Sequence, residues 1–362
     1  MARIRPRYAR RVTPPRPVLA TTLTPVLDEE LHVRETVAAL QAQDVAEDAE
    51  FIFIDGRSSD ATRAILEQLA LEDPRIRVLD NPARHTASAL NIGLRAASGE
   101  YVGRVDAHTS YPPGYLSLAI ERLRRGDVEW VSGPQLPVGR DRWSRRVALA
   151  LGSPLATGGS NRWDSDVAQS GGAEVELATG VFTGVWRRET LDRLGGWDEG
   201  WPINQDSELA ARVLAGGGRI VSLPELAAEY TPRNSIRRLA RQYWRYGMYR
   251  AKTSLRHPRT VRPGHVALPA VAAALVCSVL APRPLRGLAR AAIALYAVAI
   301  VGVSARTPDA APADAVALPA VFATMHLSWG AGFLIGLVRF APPSRRPLGL
   351  ASDLVARPAP DA

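Results

Sequence analysis

Glu50-Phe51-Ile52-Phe53-Ile54-Asp55-Gly56-Arg57-Ser58-Ser59-Asp60-Ala61-Thr62 decides how this chain folds. Glu50 to Ile54, with four β-branched or aromatic residues in an unbroken apolar run from Phe51, reads as a strand buried on both faces. Asp55 and Gly56 stop it, and Asp60 opens a helix over Asp60 to Leu71 with Ser and Asp as cap chemistry. Strand, polar loop and helix in that order form the repeating step of an α/β sheet.

The same step recurs on both sides. Val18 to Leu23 is a strand before the helical Glu30 to Gln43, and Ile76 to Leu79 a strand before the helical Ala87 to Ala97. Tyr101 to Val105 is a strand that ends at Asp106-Ala107-His108, followed by a helix over Pro113 to Arg125. Further on, Glu174 to Val185 reads as strand, Glu189 to Leu194 as a short helix and Gln205 to Ala215 as a helix closed by glycines. Gly152 to Gly172, rich in Gly, Ser and Asn, reads as a mobile loop.

Charge and hydropathy divide the chain. It carries a net charge of +9 over 362 residues, with 46% apolar residues and one lysine, Lys252. Arginines cluster before Pro17 and again between Arg233 and Arg262. Such clusters attract polyanions, and the apolar sequence after the second favours anionic lipid over nucleic acid. Cys277 is the only cysteine, which excludes an intrachain disulfide and a cysteine-based zinc site. The basic N-terminus lacks the apolar core of a secretory signal. The expected organisation is a disordered basic tail (1–17), an α/β domain (18–232), an interfacial amphipathic segment (233–262), a membrane region (263–340) and a flexible tail (341–362).

Within 263–340, three apolar segments run over 266–281, 288–305 and 315–338. A span needs about 20 apolar residues. The first segment is short and contains Pro269. Arg283, Arg286 and Arg290 follow it, and the tail carries Arg339, Arg345 and Arg346. The positive-inside tendency puts both basic stretches on the cytoplasmic side. The expectation is two spans, 288–305 and 315–338, with 266–281 re-entrant or interfacial.

Ligands in open α/β sheets sit beyond the carboxyl ends of the strands. Three polar stretches fall there: Thr24 to Glu30, Asp55 to Thr62 and Asp106 to His108. An acid and an imidazole two residues apart suit a divalent cation shared with a diphosphate. Arg84 and His85, ahead of the helix bearing Asn91, either contact that diphosphate or cap a loop.

Pro25-Val26-Leu27-Asp28-Glu29-Glu30, Asp55-Gly56-x-Ser58-x-Asp60-x-Thr62, Ala89-Leu90-Asn91-x-Gly93, Asp106-x-His108 and Asn204-Gln205-Asp206 resemble, in order and spacing over about residues 18 to 250, the family 2 glycosyltransferases. The likeness extends to the succinoglycan-type branch, with its similar Arg-Val-Asp-Ala-His sequence and C-terminal membrane helices. The resemblance implies a GT-A domain, Rossmann-like and α/β, ahead of those helices. It implies a nucleotide-sugar site of Pro25, Asp28 (where the family usually has Asn), Glu29, Asp55, Asp60, Asn91 and Asp106. Asp106 and His108 would hold Mg²⁺ or Mn²⁺, and Asp206 would be the base of an inverting transfer, with Glu208 a weaker candidate. Gln242-Tyr243-Trp244-Arg245-Tyr246 resembles the Gln-x-x-Arg-Trp motif of membrane-bound relatives. It implies that Gln242, Trp244, Arg245 and Tyr246 contact the acceptor or a diphosphate. The implied partners are a UDP-linked hexose, a lipid-linked saccharide and membrane lipids, with no nucleic acid. The implied location is the inner membrane, with the catalytic domain cytoplasmic. The rivals are a polyprenyl-phosphate glycosyltransferase and a non-catalytic nucleotide-sugar-binding scaffold.

Overall fold

The computed structural model describes residues 18–153, 155 and 173–341. The expected tails and most of the 152–172 loop therefore lie outside the described residues. The first half alternates β1 (Ala20–Val26), α1 (Val33–Gln41), β2 (Ala49–Asp55), α2 (Thr62–Glu72), β3 (Ile76–Asp80), α3 (Thr86–Ala96) and β4 (Tyr101–Arg104). Then come β5 (Thr109–Ser110), α4 (Tyr115–Arg124), β6 (Trp130–Ser132), β7 (Gln135–Pro137), α5 (Arg142–Leu151), β8 (Val175–Glu176) and β9 (Gly184–Arg187). The domain closes with α6 (Arg188–Leu194), α7 (Gln205–Ala215), β10 (Ile220–Ser222) and β11 (Ala228–Tyr230).

The main sheet has the order β3-β2-β1-β4-β9-β6-β10-β8, and β5-β11-β7 form a small second sheet. β1 pairs parallel with β2 and β4, and β9 runs antiparallel between β4 and β6. Side-chain alternation on β2 explains its unbroken apolar run. Phe51 and Phe53 feed the core on one face, under α1, α2 and α4, while Ile52 and Ile54 feed the other, with α3 and α7. Each of the four is fully buried, worth about 1.5–3 kcal/mol apiece. Register sets the site's rim: Val26 lies opposite Asp55, Asp55 opposite Asp80, and Leu23 opposite Arg104. Three strands thus deliver their polar ends to one edge.

Two expectations give way. The Glu174 to Val185 strand is two short strands, β8 and β9, that lie in different parts of the sheet. Between them Gly180 packs against the Asp206 backbone and the Trp130 ring, so that stretch is used for close approach instead of pairing. Nor does Asp60 cap α2 in the expected way. Its N-cap is Ala61, and the Asp60 carboxylate makes a tight turn onto the Thr62 amide and hydroxyl.

Four helices follow the α/β domain: α8 (Ile236–Arg256), α9 (Gly264–Leu280), α10 (Arg283–Ser304) and α11 (Pro312–Phe340). Ser235 caps α8 by accepting from the Arg238 amide. Of these, α10 and α11 are long and apolar enough to cross a membrane. α8 runs parallel to the second half of α11, with Trp244 beside Gly332, Met248 beside Gly336 and Tyr249 beside Phe340. A third apolar cluster joins Val147, Ala150 and Leu151 of α5 to Leu239 of α8, Ile300 of α10 and Leu318, Val321, Phe322 and Met325 of α11.

Candidate active site

The loops after β1 and β2 are latched together. The Asp28 amide donates to Ser58 Oγ (3.0 Å), the Ser59 amide to Asp28 Oδ1 (2.7 Å), and the Glu29 amide to Thr62 Oγ1 (2.7 Å). Asp60 Oδ2 accepts from the Glu30 amide at 3.1 Å. Asp28 has a φ of 55° and Arg57 of 58°, a left-handed conformation that Asp and Asn tolerate better than most residues. Asp28 thus does here what Asn would also do: its side chain holds the neighbouring loop. Asp55 is buried, with Ser58 Oγ donating to it at 2.6 Å. Pro25, half-buried, ends the β1 side of this rim.

β4 brings the third polar stretch to the same edge. His108 Nδ1 lies 3.2 Å from Glu29 Oε1. Desolvation lowers the imidazole, but the Glu29 hydrogen bond and the charges of Asp106 and Glu29 outweigh it, so its pKa is raised. Asp106 is held from behind by Arg104, whose Nε and Nη2 donate to its two carboxylate oxygens at 2.9 and 3.0 Å. Arg104 is 5% exposed, and its Nη1 has no hydrogen-bond partner among the described residues. Burial disfavours its charge, and Asp106 and Asp206 together more than restore it. One buried guanidinium therefore sits in the field of both carboxylates expected to act on substrate.

Asp206 is 8% exposed in the first turn of α7, which follows Asn204 at a φ of 62°. The Asn204 side chain donates to the Tyr246 carbonyl (3.2 Å), and Arg250 donates to Ser207 Oγ (2.8 Å), so α8 braces this turn. Gln242 donates to the hydroxyls of Tyr246 (2.8 Å) and Tyr230 (3.3 Å). A cavity of about 350 Å³ opens beside them, lined by Ile203, Arg233, Arg238, Arg241, Gln242, Arg245 and Tyr246. Trp244 lies elsewhere on α8, with its backbone against Gly332 of α11.

Asn91 stands away from the rim. Its Nδ2 donates to the Trp197 carbonyl (2.8 Å) and to Glu199, and its Oδ1 accepts from the Trp197 amide (2.9 Å). It ties α3 to the loop that leads to Asp206. Glu208 is fully buried under a two-pronged Arg212 contact and beside His257, its carboxylate engaged away from solvent. His85 caps α3 through Nδ1, and Arg84 donates to the Arg57 carbonyl. Arg104 and the cavity arginines 233, 238 and 241 are what motif reading passed over. For Arg104 the signal was present, a charge inside an otherwise apolar strand.

Asp106 and His108 offer an oxygen and a nitrogen beside Glu29, and no group of three or more such side chains forms a closed metal cage among the described residues. Each Asp106 oxygen accepts one N–H from Arg104 and retains acceptor capacity. This donor set fits a cation whose remaining ligands come from a diphosphate.

The mixed α/β sheet, with polar residues along the carboxyl-end rim of its parallel strands, is the fold of a GT-A glycosyltransferase. The sequence profile described as Glycosyl transferase family 2 matches residues 21–188. The succinoglycan biosynthesis protein ExoA of Rhizobium meliloti (strain 1021) is 30% identical over 324 residues, 87% of this chain and 94% of that one. The chain belongs to glycosyltransferase family 2. A second relative is the dolichyl N-acetyl-alpha-D-glucosaminyl phosphate 3-beta-D-2,3-diacetamido-2,3-dideoxy-beta-D-glucuronosyltransferase of Methanococcus voltae, 23% identical over 62% of this chain and 70% of that one. Among solved structures, the mannosyltransferase PcManGT of Pyrobaculum calidifontis, in complex with GDP-Man and Mn²⁺, shares the fold at a TM-score of 0.55 and 21% identity, covering 88% of this chain and 86% of that one.

Proposed function

We propose that this glycosyltransferase moves a hexose from a UDP-linked donor to a lipid-linked saccharide at the cytoplasmic face of a membrane, with inversion, in the synthesis of an exopolysaccharide or envelope glycan. The observation that carries the reading is Asp206: a buried acid at a helix start, sharing the buried Arg104 guanidinium with Asp106, with an arginine-lined cavity on its flank. The name of the Rhizobium relative supports a polysaccharide, and that of the Methanococcus relative a lipid-phosphate-linked sugar as acceptor.

Pro25, Asp28, Glu29, Asp55 and Asp60 form the nucleotide rim, with Asp55 turned to the base and Asn91 holding the loop behind the sugar. Asp106 and His108 hold Mg²⁺ or Mn²⁺, which when bound withdraws charge from the leaving diphosphate. Asp206 takes the proton of the acceptor hydroxyl as its oxygen bonds to the anomeric carbon and the bond to the nucleoside diphosphate breaks. One displacement with one base inverts the centre. Gln242, Arg245 and Tyr246 line the cavity that receives the anionic part of the acceptor, Arg245 by paired hydrogen bonds.

Purified protein in lipid nanodiscs with Mn²⁺ tests this against a panel of UDP-hexoses, offered with polyprenyl-diphosphate-sugar or polyprenyl phosphate. Transfer to the former with an inverted anomeric centre is expected. Exclusive transfer to bare polyprenyl phosphate overturns the acceptor assignment, and inertness toward every donor overturns the whole reading.

A further inference from the structure

The last helix, α11, is 29 residues long, about 43 Å from end to end. The hydrocarbon of a bilayer is about 30 Å thick. A helix that crosses it leaves its two ends on opposite sides, and only one can touch a catalytic domain lying on one side. The start of α11 touches the catalytic domain directly, and its finish is tied to it through α8. At the start, Asp314 takes Arg146 Nε of α5 at 2.9 Å, both side chains buried, and Arg146 Nη2 also reaches the Ala313 carbonyl. Arg145 reaches the Asp309 carbonyl in the preceding connection at 3.3 Å. At the finish, Phe340 packs on Tyr249 and lies 5.4 Å from Lys252 Nζ. That same ammonium donates to the Gly200 carbonyl (2.6 Å) and sits 3.9 Å from the Trp201 ring, in the loop leading to Asp206. Between the ends, His326 Nε2 meets the Leu155 carbonyl at 3.1 Å.

Arg146 with Asp314, and Lys252 with Arg256 and Asp198, are charged clusters at the two ends of one helix. Neither belongs in hydrocarbon, and each holds a residue of the catalytic domain, Arg146 at one end and Asp198 at the other. α10 runs antiparallel beside α11, joined by Tyr296 to His326 at 3.0 Å and by the short 305–311 connection, so it follows the same direction. Its outer face is bare: Leu285, Leu288, Leu295 and Val298, at helical spacing, are between 56% and 72% exposed, and Val276 and Val279 of α9 continue the apolar surface. Arg283 and Arg306 stand exposed at the two ends of α10, and Arg290 two turns in from its start. Exposed apolar residues framed by arginines are the make-up of a surface that sinks into one leaflet and meets anionic headgroups at its rim.

We infer that α9, α10 and α11 do not cross the membrane: they form a platform that lies along the catalytic domain and embeds its α9–α10 face in a single leaflet. The proposal rests on the membrane attachment given under the proposed function. It replaces the two-span expectation, under which the 306–314 connection lies on the far side, and equally a three-span arrangement, under which the α9–α10 corner does.

The full chain in a bacterial host, with Cys277→Ser and a single new cysteine at Pro308→Cys or Arg283→Cys, tests it with a membrane-impermeant maleimide. Both positions should react in inverted inner-membrane vesicles and neither in intact spheroplasts. Labelling of position 308 in spheroplasts restores two spans, and labelling of position 283 restores three; either overturns the platform. Trypsin on the unsubstituted chain gives the same reading without variants, since Arg290 and Arg306 should be cut only in inverted vesicles. Recovery of the chain in the soluble fraction would overturn the leaflet contact, while the donor assay reports sugar transfer independently.

Discussion

Arg104 occupies a strand position whose neighbours in register are Leu23 and Gly184, a setting that normally takes an apolar residue. Its charge is kept there by Asp106 and Asp206. Arg104→Met should lower Mn²⁺ affinity or transfer about 10–100-fold, the usual cost of removing a group that orients a metal ligand. The Mn²⁺ dependence of transfer reads it, with UDP binding as the control for folding. Asp206→Asn keeps the shape but removes the proton acceptor. It should cost about 10²–10⁴ in turnover and leave UDP binding, measured by calorimetry, unchanged; unaltered turnover would refute the assignment. At this scale the motif residues of the first three loops, Pro25 to Glu29, Asp55 to Asp60 and Asp106 to His108, were legible because each sits within a few positions of a strand end. Arg104 was written in the sequence too, but its value depends on Asp206, 102 positions further on, and no local pattern carries that distance.

Helix ends and helix crossings decide the next scale. The end of α2 is tied down by Asp73, which accepts from Gln41 of α1 (2.7 Å) and from Arg75 (2.7 Å). The Arg75 guanidinium holds the Asp73 carboxyl well below the usual carboxylate range, against the upward pull of burial. A depressed acid contributes stability above its unfolded value, and that contribution is lost as the pH falls toward the folded one. Asp73→Asn should therefore cost about 1.5–3 kcal/mol at neutral pH, and its melting temperature should converge on that of the wild type as the pH drops below about 4. The second crossing is α8 against α11. A Cβ on Gly247 would overlap the Trp329 carbonyl, and one on Gly332 the Trp244 carbonyl. Gly247→Val should separate the helices at a cost of about 1–3 kcal/mol or more, seen as a lower melting temperature in detergent. Periodicity located nearly every helix to within a few residues. It failed at Glu174 to Val185, where alternation and β-propensity are compatible with one strand and close packing against α7 breaks it into two.

Over the whole molecule, the catalytic domain and the apolar helices are one packed object, not a domain with an appended anchor. The Arg146–Asp314 pair is the clearest joint: two buried charges, one from each part. Arg146→Met removes the closer partner of the Asp314 carboxylate, leaving Arg145 at 3.8 Å, and should destabilise the fold by about 3 kcal/mol, whereas replacing both Arg146 and Asp314 with apolar residues should recover most of it. Melting of the single and double variants separates these outcomes.

What the sequence by itself determined was the α/β sheet, the family and the polar residues along its rim. Strand and helix periods of 2 and 3.6 residues, and motifs that lie within one loop, are local information. What only the tertiary structure decided was which carboxylates share a guanidinium, which arginines surround one cavity, and how the last helices lie. Hydropathy reads how apolar a helix is, not which of its faces is already covered or where its ends are held. For α11 the ends are held by Arg146 and Lys252, residues far away in the chain and brought to it only by the fold.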